Sequence, residues 1–285
     1  MERNNNDTFL KFNKILVALD ASPQSISALE TAARLAHYMR ARLTGLFVED
    51  VNILKLCDSP LAREFCLFTF RSIPVQRHRI EYQLRTIAEK INQKIAEISS
   101  RLRIPWNFTV TRGWVSSEIL SASEEADLVI LGKSGWSSKG ISHLGSTAQD
   151  IIFKSKKNIL ILGKKPPKGA PIFLFYFNTP LFKKAFNLAL FIKREEFSQL
   201  VILIPVKKLE YGIEIRNQLR EKLGDLFDNV YFRILEVEDP SDFAYESSIL
   251  KEGWFIIPWD RNIIDEEVLK NIISKAKGSI LVIKN

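Results

Sequence analysis

The residues that bear on chemistry gather in one window, Leu131–Thr147, with the sequence LGKSGWSSKGISHLGST. Four of the chain's 12 glycines fall in it, spaced as Gly132-x2-Gly135-x9-Gly145-Ser146 with Gly140 between. The window opens where an apolar run ends and closes where an amphipathic one begins, so it reads as a loop from a strand into a helix. Glycine lets backbone N–H groups approach an oxyanion with no Cβ in the way. A helix starting near Gly145 adds N–H groups without intrahelical partners and the positive end of its dipole. Ser146 and Thr147 would add hydroxyls, Lys133 and Lys139 positive charge. The pattern fits a phosphate-like anion. Two other readings stay open. Ser146-x-x-Gln149 is also a capping box, in which the hydroxyl serves only its own helix, and glycines also mark ordinary long loops. The window is neither a Walker loop nor GxGxxG.

A second candidate is Asp20, which ends the apolar run Lys14–Leu19 and precedes Ser22-Pro23. A carboxylate there meets a ligand donor, binds Mg²⁺ or caps the helix that follows. No Ser/His/Asp, Cys/His or paired-carboxylate arrangement is readable, and His37, His78 and His143 are scattered.

These residues need elements to hold them. Lys14–Leu19 is a continuous apolar run, as expected for a strand covered on both faces. Helical spacing follows, capped by Ser22 or Ser25, then a strand at Leu43–Val48. Glu49 to Ser72 reads as irregular. A long helix after Pro74 leads to a strand at Asn107–Arg112, a short helix at Ser117–Ser123 and a strand at Asp127–Leu131. The glycine window, a helix at Gly145–Lys156 and a strand at Asn158–Leu162 complete this half. Lys164–Gly169 (KKPPKG) reads as a linker. The pattern then repeats: strands at Pro171–Phe177, Gln199–Val206, Asn229–Leu235, Trp254–Ile257 and Ser279–Ile283, with helices at Leu181–Ile192, Glu210–Leu223, Phe243–Leu250 and Glu266–Lys275. The expectation is an α/β chain of two tandem, open, parallel five-stranded sheets flanked by helices, divided as residues 1–165 and 170–285. A length of 285 residues suits two such units.

Composition narrows the class. With hydrophobic residues at 46%, there is material for real cores rather than a disordered chain. The longest apolar runs are strand-sized, far below the ~20 residues of a membrane helix, and Met1–Thr8 has no apolar signal core. Cys57 and Cys66 are too few for a disulfide scaffold and lack metal-site spacing. The expected compartment is the cytoplasm. Residues 1–165 carry 24 basic against 16 acidic side chains and residues 166–285 carry 17 of each, so the net charge of +8 lies in the first half. A solvated basic helix between Arg71 and Arg103, or attraction of an anion, would account for it. Trp106, Trp114 and Trp136 lie near basic residues, but no element joins them to a recognised RNA or DNA motif.

On these residues the chain resembles the universal stress protein family, specifically its tandem two-domain members. The family's nucleotide-binding class carries Gly-x2-Gly-x9-Gly-Ser/Thr at this place. VALD ending in Asp20, Ser22-Pro23, LFVED, Gly113 and ADLVILG agree with it. The resemblance covers residues 12–163 and, in degraded form, 171–285. It implies a Rossmann-like fold and an ATP-like adenine nucleotide, with or without Mg²⁺. Asp20 and Val48 would lie at the adenine and ribose end, Val48 through its backbone. Leu131 and Gly132 would line the ribose and α-phosphate, and Gly135, Gly145, Ser146 and Thr147 would hold phosphates. Trp136 departs from the usual polar residue of the loop.

The second half has lost these residues. Phe177 matches Asp20, Pro205 matches Val48, and Glu266-Glu267 match Gly145-Ser146, so one nucleotide site per chain is expected. The resemblance further implies a non-enzymatic role in stress response or regulation, through a protein partner the sequence does not identify. The two halves would pair through Asn158–Leu162 and Ser279–Ile283, and a homodimer of the whole chain is compatible with it. A weak Mg-dependent ATPase using Asp20, and a ligand-free interaction scaffold, are the alternatives.

Overall fold

Ser22 accepts a hydrogen bond from the Ser25 N–H (3.1 Å), and Pro23 supplies a preset φ at the first helical position, so strand β1 (Lys14–Leu19) passes directly into helix α1 (Pro23–Met39). Thr179 and Pro180 repeat the device between β8 (Ile172–Phe175) and α6 (Pro180–Glu196). The computed structural model describes residues 11–66, 70–133, 144–163, 166–224, 226, 230–238, 242 and 250–284. The first half continues with β2 (Arg42–Asp50), α2 (Val51–Cys57), β3 (Arg63–Cys66), β4 (Arg71–Pro74), α3 (Arg77–Leu102), β5 (Trp106–Gly113), α4 (Val115–Ser123), β6 (Leu128–Gly132), α5 (Ser146–Lys154) and β7 (Asn158–Leu162). The second continues with β9 (Leu200–Val206), α7 (Leu209–Leu223), β10 (Tyr231–Glu236), β11 (Trp254–Pro258), α8 (Glu266–Lys275) and β12 (Ser279–Ile283).

One expectation is corrected. The stretch Glu49 to Ser72 is not irregular: Asp50 accepts the Asn52 N–H (2.8 Å) and starts α2, and β3 pairs antiparallel with β4 as a separate hairpin. Helix Phe243–Leu250, except Leu250, and Lys164 and Lys165 of the linker lie outside the described residues.

The strands of both halves form a single sheet in the order β10-β9-β8-β11-β12-β7-β6-β1-β2-β5. Every neighbour pair is parallel except β12 with β7, which runs antiparallel with Leu281 opposite Leu160. Two parallel five-stranded sheets are thus joined edge to edge. Both seam strands are almost wholly buried, and alternate residues serve opposite faces, as a period of two requires. Leu160, Leu162, Leu281 and Ile283 join a core under α1, α3, α6 and α7; Ile159, Ile161, Ile280 and Val282 join one under α4, α5 and α8. Each core runs unbroken across the seam.

Polar contacts cross it as well. Arg34 of α1 lies 3.4 Å from the carboxylate of Glu196 at the end of α6, and Glu196 is only 3% exposed. Burial, then the Glu196 charge, raises the nearby Tyr38 phenol above its usual range. Backbones also approach closely: a Cβ on Gly163 would lie 2.6 Å from the Gly278 carbonyl oxygen, and one on Gly278 would overlap the Gly253 carbonyl. Glycine is therefore required at 278. Gly278→Ala is expected to destabilise the chain by about 1–3 kcal/mol, read as a lowered urea midpoint; an unchanged midpoint would contradict this packing.

Candidate functional site

In an open α/β sheet the strand order reverses at one point, and the crevice outside the carboxyl ends of the flanking strands is where ligands bind. In the first half that point lies between β1 and β6, because the chain runs from β1 outward to β2 and β5 and then returns to β6 and β7. Ile15 stands opposite Leu43 of β2 and Leu128 of β6. Continuing these registers, Asp20 is level with Val48 on one side and Lys133 on the other. The expected site residues from three strands therefore end together at the switch point.

Individually they differ. Asp20 is part-buried, and its Oδ1 accepts the Ser22 N–H (2.9 Å) across Ala21, which sits at φ 61°. The carboxylate thus shapes the turn into α1, whatever else it meets. Val48 stands opposite Thr111 of β5 and packs against the core from an intermediate position. Leu131 is buried, and Gly132 ends β6 opposite Leu162. Gly135 lies outside the described residues, as do Trp136, Lys139, Gly140 and His143.

The far end of the window settles how α5 is capped. Gly145 is its N-cap (φ −63°, ψ 151°), no side chain caps it among the described residues, and Ser146 is exposed at the first helical position. Ser146 therefore does not act in a capping box; Gln149 donates instead to the Leu144 carbonyl (3.0 Å). Thr147 is half-buried beside it. Such a helix start presents its dipole and its first-turn hydroxyls with no acidic residue in that turn.

Lys133 corrects another expectation. Its ammonium donates to the Ser274 (2.8 Å) and Ala276 (3.3 Å) carbonyls at the end of α8. It is 9% exposed, and burial lowers its pKa from the ordinary lysine value. Sequence reasoning missed this role because the partners are backbone carbonyls more than a hundred residues away, which leave no sequence signal. The acidic pair after Val48 is likewise structural. Asp50 caps α2, and buried Glu49 is paired with Arg112 (2.7 Å), which also reaches Glu81 (3.3 Å). On the basic helix α3, Arg77 meets Asp58 (2.8 Å) and Arg79 meets Glu64 (3.2 Å). Exposed pairs of this kind contribute little to stability. Cys57 is a free thiol donating to the Ile53 carbonyl (3.1 Å), and burial pushes its pKa up.

The second half shows what the same geometry becomes without the loop. Ile172 stands opposite Leu200 and Trp254, as Ile15 stands opposite Leu43 and Leu128, which sets Phe177 at the position of Asp20 and Pro205 at that of Val48. Phe177 is buried and stacked on Phe175. Trp259, matching Lys133, donates its indole N–H to the Ile264 carbonyl (2.9 Å). Asp265 caps α8 through the Val268 N–H (2.8 Å), with Glu266 and Glu267 in its first turn. Carboxylates hold the dipole end that α5 leaves to a glycine.

Beyond Trp259, Lys284 donates to the Ile152 and Ser155 carbonyls (2.7 Å to the latter) and stands over the indole at 5.0 Å. Arg261 donates to the Phe153 carbonyl (2.5 Å). The end of α5 is thus closed by two cations of the second half. Burial brings the Lys284 pKa down to about 7, with Arg261 pushing the same way and Glu266 opposing. A neutral amine keeps two N–H donors for the two carbonyls, so the contact does not require the charge.

No family model matches the chain, and no curated protein matches it. Solved structures do. A universal stress protein from Archaeoglobus fulgidus DSM 4304 is similar with a TM-score of 0.67 at 17% identity, over 97% of this chain and 98% of that one. A functionally unknown protein from Pseudomonas aeruginosa PAO1 gives 0.61 at 12%, over 96% and 93%. The cytoplasmic domain of a prokaryotic cation chloride cotransporter gives 0.51 at 13%, over 95% of each. The chain has the universal stress protein fold, over its whole described length, and that fold serves more than one kind of protein. No described helix is long and apolar enough to cross a membrane.

The Lys284 environment has a measurable consequence. Between about pH 7 and the ordinary lysine value near 10, the unfolded chain carries a proton that the folded chain lacks, so stability rises with pH across that window. In urea unfolding between pH 7 and 9, Lys284→Met is expected to flatten that rise. Equal slopes in the two proteins would contradict the assignment.

Proposed function

We propose that the chain is a two-domain protein of the universal stress type, divided as residues 1–165 and 170–285, that binds one adenine nucleotide of the ATP class in its first domain. Its role is regulatory, in stress response, with nucleotide binding biasing conformation or partner choice rather than feeding a catalytic cycle. The observation that carries this reading is the contrast between two helix starts. At α5 a glycine caps the helix and Ser146 is exposed, after a loop of the Gly132-x2-Gly135-x9-Gly145-Ser146 spacing. At α8 an aspartate caps the helix and two glutamates follow. The first start is open to an anion, whereas the second repels one.

The described site residues support a nucleotide reading. Gly132 ends its strand without a Cβ, Gly145, Ser146 and Thr147 stand at the dipole end, and Gly135, outside the described residues, falls between them in sequence. Val48 offers its backbone near the end of β2, Leu131 is buried next to the end of β6, and Asp20 lies at the same sheet end. Among the described residues no three His, Cys, Asp or Glu side chains converge on a metal. Mg²⁺ would therefore enter with the phosphates, with Asp20 as the nearby carboxylate.

Gly145→Asp separates anion binding from folding. The backbone at Gly145 suits any residue, and aspartate at an N-cap is preferred to glycine by a few tenths of a kcal/mol. Freshly purified wild-type chain is denatured and its released nucleotide identified by chromatography and mass spectrometry, with binding of added Mg-ATP measured alongside. One adenine nucleotide per wild-type chain is expected, and none with Gly145→Asp, whose unfolding midpoint equals or exceeds that of the wild type. A wild-type chain that neither releases nor binds nucleotide would overturn the reading.

A further inference from the structure

Lys133 is held in three directions. Its N–H donates to the Leu162 carbonyl at the end of β7 (2.8 Å), and its own carbonyl accepts the N–H of Gly145, the N-cap of α5 (3.0 Å). Its side chain crosses the seam to the Ser274 and Ala276 carbonyls. The last carbonyls of a helix have no intrahelical partners and carry the negative end of the dipole, so a buried ammonium there satisfies them and is itself stabilised. The two ends of the glycine window are thereby stitched together at the residue whose side chain is anchored in the other half.

The reciprocal contact closes the arrangement. Lys284 and Arg261 take the carbonyls at the end of α5, while Ser116 of α4 donates to Asp150 in its middle (3.0 Å). Each half's last helix is therefore capped by cations of the other half. Of these two last helices, among the described residues, α5 has no side-chain cap and no acidic first turn whereas α8 has both, and Lys133 touches both the α5 N-cap and the second half. Trp259, its counterpart by register, crosses the seam only through its ring, which meets Phe153 edge-on (5.9 Å between centroids); its indole N–H donates within its own half.

We propose that Lys133 is a positioning residue, through which the second half fixes the Gly145 N-cap and the first turn of α5, and so sets the affinity of the first half for a phosphate-bearing ligand. The proposal rests on the nucleotide reading above for the identity of the ligand. Lys133 itself does not touch the anion; it acts through its carbonyl on the Gly145 amide.

The test uses the full chain. Lys133→Met keeps the length and apolar stem but removes the donors, and Lys133→Arg keeps the charge and donors. Mg-ATP affinity is measured by calorimetry. Hydrogen exchange of the 144–150 amides is followed in ligand-free protein, with β1 amides as the control for global opening. The Met variant is expected to bind roughly tenfold more weakly, a usual size for coupling between sites. Its 144–150 amides should exchange faster while β1 is unchanged, and Lys133→Arg should restore both. Should Lys133→Met fail to fold, Lys133→Gln, which falls short of the α8 carbonyls, is read in the same way. A Met variant with wild-type affinity and wild-type exchange overturns the proposal and leaves the nucleotide reading standing. A wild-type chain that binds no Mg-ATP overturns that reading, and the exchange comparison then still decides whether Lys133 positions the α5 terminus.

Discussion

The antiparallel pairing of β7 with β12 is the constraint from which the remaining architecture follows. Each half alone would end in an apolar edge strand, and such edges are aggregation-prone templates unless they are covered. Setting the two edges against each other buries both and makes the two cores continuous across the seam. Close backbone contact between Gly163 and Gly278 fixes how near the halves can come. At that distance α1 meets α6, and the ends of α5 and α8 come within reach of lysines from the opposite half.

That geometry explains how one half can lose its own ligand chemistry and still matter. The second half has Phe177 where the first has Asp20, and carboxylates where the first has Gly145. Its loop after β11 is shorter than the one after β6 and holds Trp259, whose indole N–H donates to the Ile264 carbonyl. Its retained contributions are an edge strand, two cations for the end of α5 and two carbonyls for Lys133. The similarity to both a universal stress protein and the cytoplasmic domain of a cation chloride cotransporter shows the fold alone does not fix a role. The open helix start at Gly145 is what separates the two halves of this chain chemically.

Much of this was legible in the sequence. Apolar runs marked β1, β6, β7 and β12 almost to the residue, because strands buried on both faces show no polar interruption. The tandem α/β order followed from the alternation of strands and helices, and the asymmetry of the halves from single residues such as Phe177 and Glu266. Other features were not legible. The β3–β4 hairpin carries exposed Phe65 and Phe70 and no alternation that separates it from a loop. Ser146 matched a capping box in type and spacing, yet the helix starts one residue earlier, a distinction that only backbone geometry makes. Lys133 and Lys284 bond to carbonyls, which every residue has, so their partners leave no trace in side-chain pattern.

The central claim is that one nucleotide site exists and that it lies in the first half at the β1/β6 switch point. Photo-crosslinking the full chain with an azido-adenine nucleotide and mapping the labelled peptides tests it most directly. The account predicts label in peptides around Asp20, Val48 or Gly132, competed away by unlabelled ATP, with none in the second half. Label concentrated near Phe177 or Pro258, or label that ATP does not displace, would contradict it.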